Sequence, residues 1–181
     1  ADAFQSLGQS RRAALWHTLA QEKSPKSTPL FDAISDESDD SDLQLPGMSP
    51  IDEVFQDYAT TGLSLKAHPV SFYRPQLDEM GVVANERLAS FRTGRRVRVA
   101  GLVIMRQRPS TAKGITFVTI EDETGIANLV VHQKTWKQYY SVARRGSAWL
   151  AHGNVENKHS VIHVVVRRLE LLGDSLKALH A

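Results

Sequence analysis

An aromatic ring on a strand, an amide one strand away and a surrounding set of cations could grip a polyanion made of stacked rings. Residues 115–131, ITFVTIEDETGIANLVV, hold the centre of such a set. Two apolar runs flank the turn EDETG, which reads as a hairpin. Alternation puts Thr116, Val118 and Ile120 on one side of the first run and Ile115, Phe117 and Thr119 on the other. Across the turn, Ala127, Leu129 and Val131 suit the same interior, which leaves Asn128 outward beside Phe117. An exposed phenyl ring offers any nucleobase a stacking surface worth about 1–3 kcal/mol. Asn128 could hydrogen-bond a base edge or a sugar. Arg98, Arg106, Arg108 and Lys113 precede the hairpin, Lys134 and Lys137 follow it, and Arg167 and Arg168 come near the end of the last apolar run. Cations so placed would supply salt-sensitive contacts to phosphates. The competing reading packs Phe117 under the 109–114 loop or a neighbouring helix and leaves each arginine merely solvated.

Other chemistry finds less support. Trp136, Tyr139 and Tyr140 fall at helical i, i+3 and i+4, the spacing of a core-facing stripe, and Trp149 also reads as core. His152, His159 and His163 come from different strands around a turn, with no cysteine and no tight spacing, so they do not read as a zinc site. The acids of DESDD (36–40) lack the glycine and ligand spacing of a calcium loop. No Ser/His/Asp arrangement, glycine-rich phosphate loop or Walker-type lysine is present, so no catalytic residue, metal or cofactor is read in the chain. The absence of cysteine excludes disulfides and thiolate metal sites and fits a reducing compartment. No apolar run approaches the roughly 20 residues that span a bilayer, and ADAFQSLGQSRR lacks the apolar core of a signal peptide. A soluble, cytoplasmic protein is expected.

The elements that must position these residues follow from pattern and charge. Residues 22–57 hold ten acids against Lys23 and Lys26, a net of −8, whereas residues 86–168 hold fifteen Lys and Arg against five acids, a net of +10. That asymmetry points to an acidic linker beside a polyanion-binding domain. SRRAALWHTLA (10–20) predicts a short helix capped by Ser10, and the Ser-, Pro- and acid-rich residues 21–48 predict a flexible linker. In SPIDEVFQDYATTG, Ser49 caps, Pro50 suits the first turn, and Gly62 stops a helix whose Ile51, Val54, Phe55 and Tyr58 form an apolar stripe. Further short helices are expected over 70–79 and 86–91. Strands are expected over 95–108, 115–121, 125–132, 147–155 and 161–171, with a helix over 133–143 between the third and fourth. Gly101, midway along the first strand, marks an expected bend or bulge. Five short strands, a bent first strand and a helix after the third describe an OB-fold barrel. The expected organisation is a helical tail at 1–20, the linker at 21–48, a helical connector at 49–92 packing on the barrel, the OB domain at 93–172 and a tail at 173–181.

Several stretches resemble a known family. TGLSLKAHP (61–69), VAGLVIMRQRPSTAKG (99–114) and FVTIEDETG (117–125) are similar to the C-terminal region of the bacterial C-family DNA polymerase III alpha subunits, and more narrowly to the error-prone DnaE-like (ImuC) branch. FQSLG and SRRAALW in residues 1–20 resemble the end of that family's tandem helix-hairpin-helix module. The resemblance implies a fragment, with the catalytic carboxylates, their Mg²⁺ and the PHP domain lying upstream. It also implies an OB domain near single-stranded template DNA, a role in SOS mutagenesis and lesion bypass, and ImuA- and ImuB-type accessory proteins as partners. Phe117, Asn128, Arg106, Arg108 and Lys113 match positions expected of a single-strand-binding OB face. The anticodon-binding domains of class II synthetases are similar in an F-x-x-x-x-D-x-x-G strand, whose aromatic stacks a base. The rival expectation is that the same face docks a protein, either an accessory factor or another polymerase domain.

Overall fold

The computed structural model describes residues 5–23, 46–158 and 161–178. Of the expected linker, residues 24–45 lie outside the described residues, as does His159. The chain divides into two compact units after Ser64, a division that falls inside the 49–92 stretch read from sequence as one connector.

The first unit holds two helices, α1 (Arg11–Lys23) and α2 (Pro50–Thr61). Their ends form as the sequence dictates. The Ser10 hydroxyl accepts from Ala13 N at 3.3 Å, the Ser49 hydroxyl accepts from Asp52 N at 3.2 Å, and Gly62 (φ 78°) sends its N–H back to Tyr58 O. On the α2 stripe Val54 is buried, Ile51 and Tyr58 are half-buried, and Phe55 is exposed. Asp57, a polar residue, is buried instead. Its carboxylate accepts from the Ser64 hydroxyl at 2.9 Å and meets the Arg11 guanidinium at 2.9 Å, which satisfies the charge. The Ser64 hydrogen bond, aided by Arg11 and opposed by burial, holds this carboxyl below its ordinary pKa.

The second unit contains the strands β1 (Arg96–Gln107), β2 (Thr116–Asp122), β3 (Gly125–Val131), β4 (Ala148–Lys158) and β5 (Val161–Leu171). They close into a barrel in the order β1-β2-β3-β5-β4, with β3 and β5 parallel and the other pairs antiparallel. That order, with helix between β3 and β4, is the OB fold. Val97, Val99, Val118, Ile120, Leu129, Val131, Trp149, Val164 and Val166 fill the interior. β1 serves both sides of the closure, pairing with β4 through Arg96–Leu102 and with β2 through Leu102–Gln107. Gly101 stands at the changeover, where a Cβ would lie 2.4 Å from Glu121 O. The glycine therefore permits a close strand crossing. The bulge comes later, between Val103 and Met105, and it turns Met105 outward, contrary to simple alternation.

The expected helix over 133–143 is two, α4 (Gln133–Gln138) and α5 (Tyr140–Arg145), interrupted at Tyr139 (φ −109°, ψ 34°). Trp136 and Tyr139 pack against the barrel core, but Tyr140 is half exposed under the Arg144 guanidinium, so it drops out of the expected core stripe.

Residues 65–92 wrap the barrel through α3 (Arg74–Glu79) and two 3₁₀ turns, Pro69–Tyr73 and Asn85–Ser90. Val70, Leu77 and Val82 form a second apolar cluster with Ala100, Leu150 and Leu172, the last at the start of α6 (Leu172–Lys177). The β2–β3 turn is bolted to this wrap. Asp122 Oδ1 accepts from Thr124 N, Thr124 Oγ1 and Gly125 N, while Oδ2 accepts from Asn85 N at 2.9 Å and Arg74 Nη2 at 3.0 Å. Arg74 Nε also bonds Glu123. A wholly buried carboxylate is tolerable here because five donors surround it.

Candidate nucleic-acid interface

Strand pairing aligns outward side chains in rows. One row runs from Gln107 (β1) through Phe117 (β2), Val130 (β3), Val165 (β5) and Asn154 (β4) to Arg96, back on β1. The next runs through Met105, Thr119, Asn128, His163 and Glu156. Phe117 is 38% exposed, because the alternation that buries Thr116, Val118, Ile120 and Asp122 leaves it on the opposite side. It lines a groove of about 690 Å³ with Ile115, Val130, His132, Val165 and Arg167. Its direct cross-strand neighbour is Val130, whereas Asn128 lies one row on, with its Oδ1 accepting from the Thr119 hydroxyl at 3.3 Å. The groove thus sets Ile115, Val130 and Val165 beside the ring, while Glu156, His163 and Asn154 add polar groups to its lining. Such a surface can take a base face without reading its edge.

The cations expected around it separate into groups. Arg167 lines the groove itself. Arg108 directly follows Gln107, the partner of Phe117 on β1. Lys113 is exposed in the left-handed region (φ 46°), where the loop reaches the start of α4; a Cβ on Gly114 would meet the Gln133 side chain. Lys134, next to Gln133, is exposed as well. Arg98 belongs elsewhere, in a second cleft on the β1–β4 side. Arg106 is not on the face. The bulge sets it opposite inward Val118, where Nε donates to Ala143 O at 3.2 Å, Nη2 donates to Gly146 O, and the guanidinium lies 5.2 Å from the centre of the Trp149 ring. It caps the C-terminus of α5, where carbonyls and the helix dipole favour a cation.

The histidines play no concerted part. Burial above all lowers the pKa of His152, against the pull of Glu170, whose Oε1 lies 2.9 Å from its Nε2. Burial likewise lowers the pKa of His68, whose Nδ1 accepts from Val70 N. Among the described residues no group of three or more His, Cys, Asp or Glu side chains could hold a metal ion. No described helix is long and apolar enough to cross a membrane.

Comparison with known proteins bears on what this groove belongs to. The family described as OB-fold nucleic acid binding domain matches residues 88–172. The error-prone DNA polymerase of Rhodopirellula baltica is 51% identical over 179 residues, and that of Caulobacter vibrioides 47% identical over 186, each match covering 99% of this chain. The chain is homologous to the error-prone DNA polymerases. It spans 16% and 17% of these two relatives. Among solved structures, asparaginyl-tRNA synthetase from Pyrococcus horikoshii is 25% identical over 44% of this chain and 20% of its own, at a TM-score of 0.38.

Sequence reasoning misses Val130, His132, His163 and Val165 as lining residues of the groove, and Arg96 as a lining residue of the second cleft. Alternation along β5, traced back from Arg167, carries the signal for His163 and Val165. The sequence places Asp122 at the hairpin turn and in the F-x-x-x-x-D-x-x-G pattern without giving it a role, although D-x-T-G is the pattern of an aspartate that accepts from the backbone two and three residues on.

Proposed function

We propose that this chain is the C-terminal region of an error-prone DNA polymerase and that it binds single-stranded template DNA, without sequence readout, during lesion bypass. The observation that carries the reading is Phe117, an exposed ring in a groove that Arg167 also lines, with the exposed Arg108 next in sequence to its β1 partner Gln107. Stacking there holds a base of any identity, and the flanking guanidiniums hold the backbone. Asn128, Lys113 and Lys134 are secondary contacts in this reading, and Arg106 is left out of it. The catalytic carboxylates and their Mg²⁺ belong to another part of the polymerase, in the cytoplasm, and residues 1–20 to the end of a helix-hairpin-helix module.

Fluorescence anisotropy with labelled oligo(dT) tests the reading. Binding is expected to weaken steeply with salt, and Phe117→Ala should weaken it at every salt concentration by about 1–3 kcal/mol. Absence of binding at low salt would sink the DNA reading.

One observation favours a second reading, docking of an ImuA- or ImuB-type accessory protein or of another polymerase domain. Ile104 and Met105 on β1 and Ile126 on β3 are each about half exposed, which is more apolar surface than a strand of DNA requires.

A further inference from the structure

We propose that the arginine cleft on the β1–β4 side is a second contact for the strand held at Phe117, guiding its phosphodiester backbone away from the groove. The inference rests on the single-strand reading above and concerns a different surface. The cleft, about 780 Å³, is lined by Arg95, Arg96, Arg98 and Arg167 together with Gly81, Val83, His152 and Asn154, and no carboxylate lines it.

Among the described residues, none of these arginines is paired with a carboxylate. Arg95 lies 3.9 Å from the centre of the Phe91 ring, and Arg98 donates to Met80 O. The nearby acid, Glu170, pairs with Arg168 at 2.9 Å. Burial and Arg98 lower the His152 pKa against the pull of Glu170, so the cleft's charge lies chiefly on the guanidiniums. Phe91 lies under Arg95, packs against the barrel core and does not line the cleft. The surface therefore suits phosphates and not bases.

Continuity identifies the occupant. Asn154 and Arg167 line both the cleft and the Phe117 groove, so the two are one track. Along the first row, Phe117 and Arg96 are separated by four inter-strand steps of about 4.8 Å, roughly 19 Å in all. At about 3.4 Å per stacked nucleotide that is five or six nucleotides. A trinucleotide reaches one end of the track only, whereas a dodecamer reaches both.

The experiment uses the whole 181-residue chain with dT3 and dT12, each titrated across a salt series. Arg95→Gln/Arg96→Gln is expected to lower the slope of log K against log salt by about 1.4 for dT12, at about 0.7 per phosphate contact. It should leave dT3 binding unchanged, and Arg95→Lys/Arg96→Lys should restore the dT12 slope. An unchanged dT12 slope, with Phe117→Ala still weakening both oligonucleotides, would overturn the cleft and spare the stacking reading. Failure of Phe117→Ala to weaken dT3 would overturn the stacking reading on which the cleft rests. Binding of an aspartate-rich peptide that the Gln pair abolishes, with dT12 unaffected, would make the cleft a protein-docking site and overturn the proposal.

Discussion

Arg74 and Arg96 are the same side chain in opposite settings. Arg74 lies among Asp78, Asp122 and Glu123 and joins the connector to the β2–β3 turn. Arg96 stands in a cleft with other arginines and no acid. Both add one unit to the net charge of the chain, yet only the second leaves a field for something outside the fold. Arg106 sides with Arg74, because carbonyl oxygens and the Trp149 ring hold it. A charge excess read from sequence therefore overstates a binding surface by the number of cations that the fold itself uses.

The largest test of that contrast is Asp122→Ala, which removes the acceptor of five donors and leaves Arg74 only Glu123 and the more distant Asp78. It should destabilise the barrel unit by about 3–5 kcal/mol in urea unfolding; a cost below about 1 kcal/mol would mean that the turn does not depend on the ion network. Next in size, Arg106→Gln should cost about 1–2 kcal/mol of stability, through the lost ring contact and hydrogen bonds. Its salt slope for oligonucleotide binding should equal that of the parent chain, and a lowered slope would return Arg106 to the phosphate contacts.

The smallest effect is with pH. His68 faces Glu121, Asp122 and Glu123, and His152 faces Glu170, Arg98 and Arg168; in both, burial is the leading cause of a pKa below the ordinary 6.5. The unfolded chain then binds protons near pH 6.5 that the folded barrel refuses, so stability should fall as pH drops below about 6.5 and level off beneath the folded values. His152→Gln should flatten part of that dependence in a thermal-melting series. An unaltered pH profile would assign the effect elsewhere.

Strand positions were legible because β-alternation is local: Val118, Ile120, Leu129 and Val131 announce an interior without reference to any partner. The bulge between Val103 and Met105 was not, since a register shift exists only relative to the paired strand. That one residue moved Arg106 off the face and put Met105 on it. The break at Tyr139 was hidden for a similar reason, since continuous helical composition does not reveal that Trp136 and Tyr139 must both reach the barrel. Phe117 was legible as outward-facing, but its groove needed Val165 and Arg167 from β5, brought beside β3 by a parallel pairing that no local pattern encodes.

That parallel pairing has a consequence for how any protein could approach. With β3 bonded to β5 and β1 shared between β2 and β4, every strand of the barrel has a neighbour on each side. Arg98 O accepts from Val83 N at 2.8 Å, so even the early part of β1 is covered. Where the strands are paired on both sides a partner peptide has no edge to extend, and strand addition is confined to stretches such as residues 104–107, which have no partner on β4. Over most of the barrel, whatever this domain meets, DNA or protein, meets it through side chains.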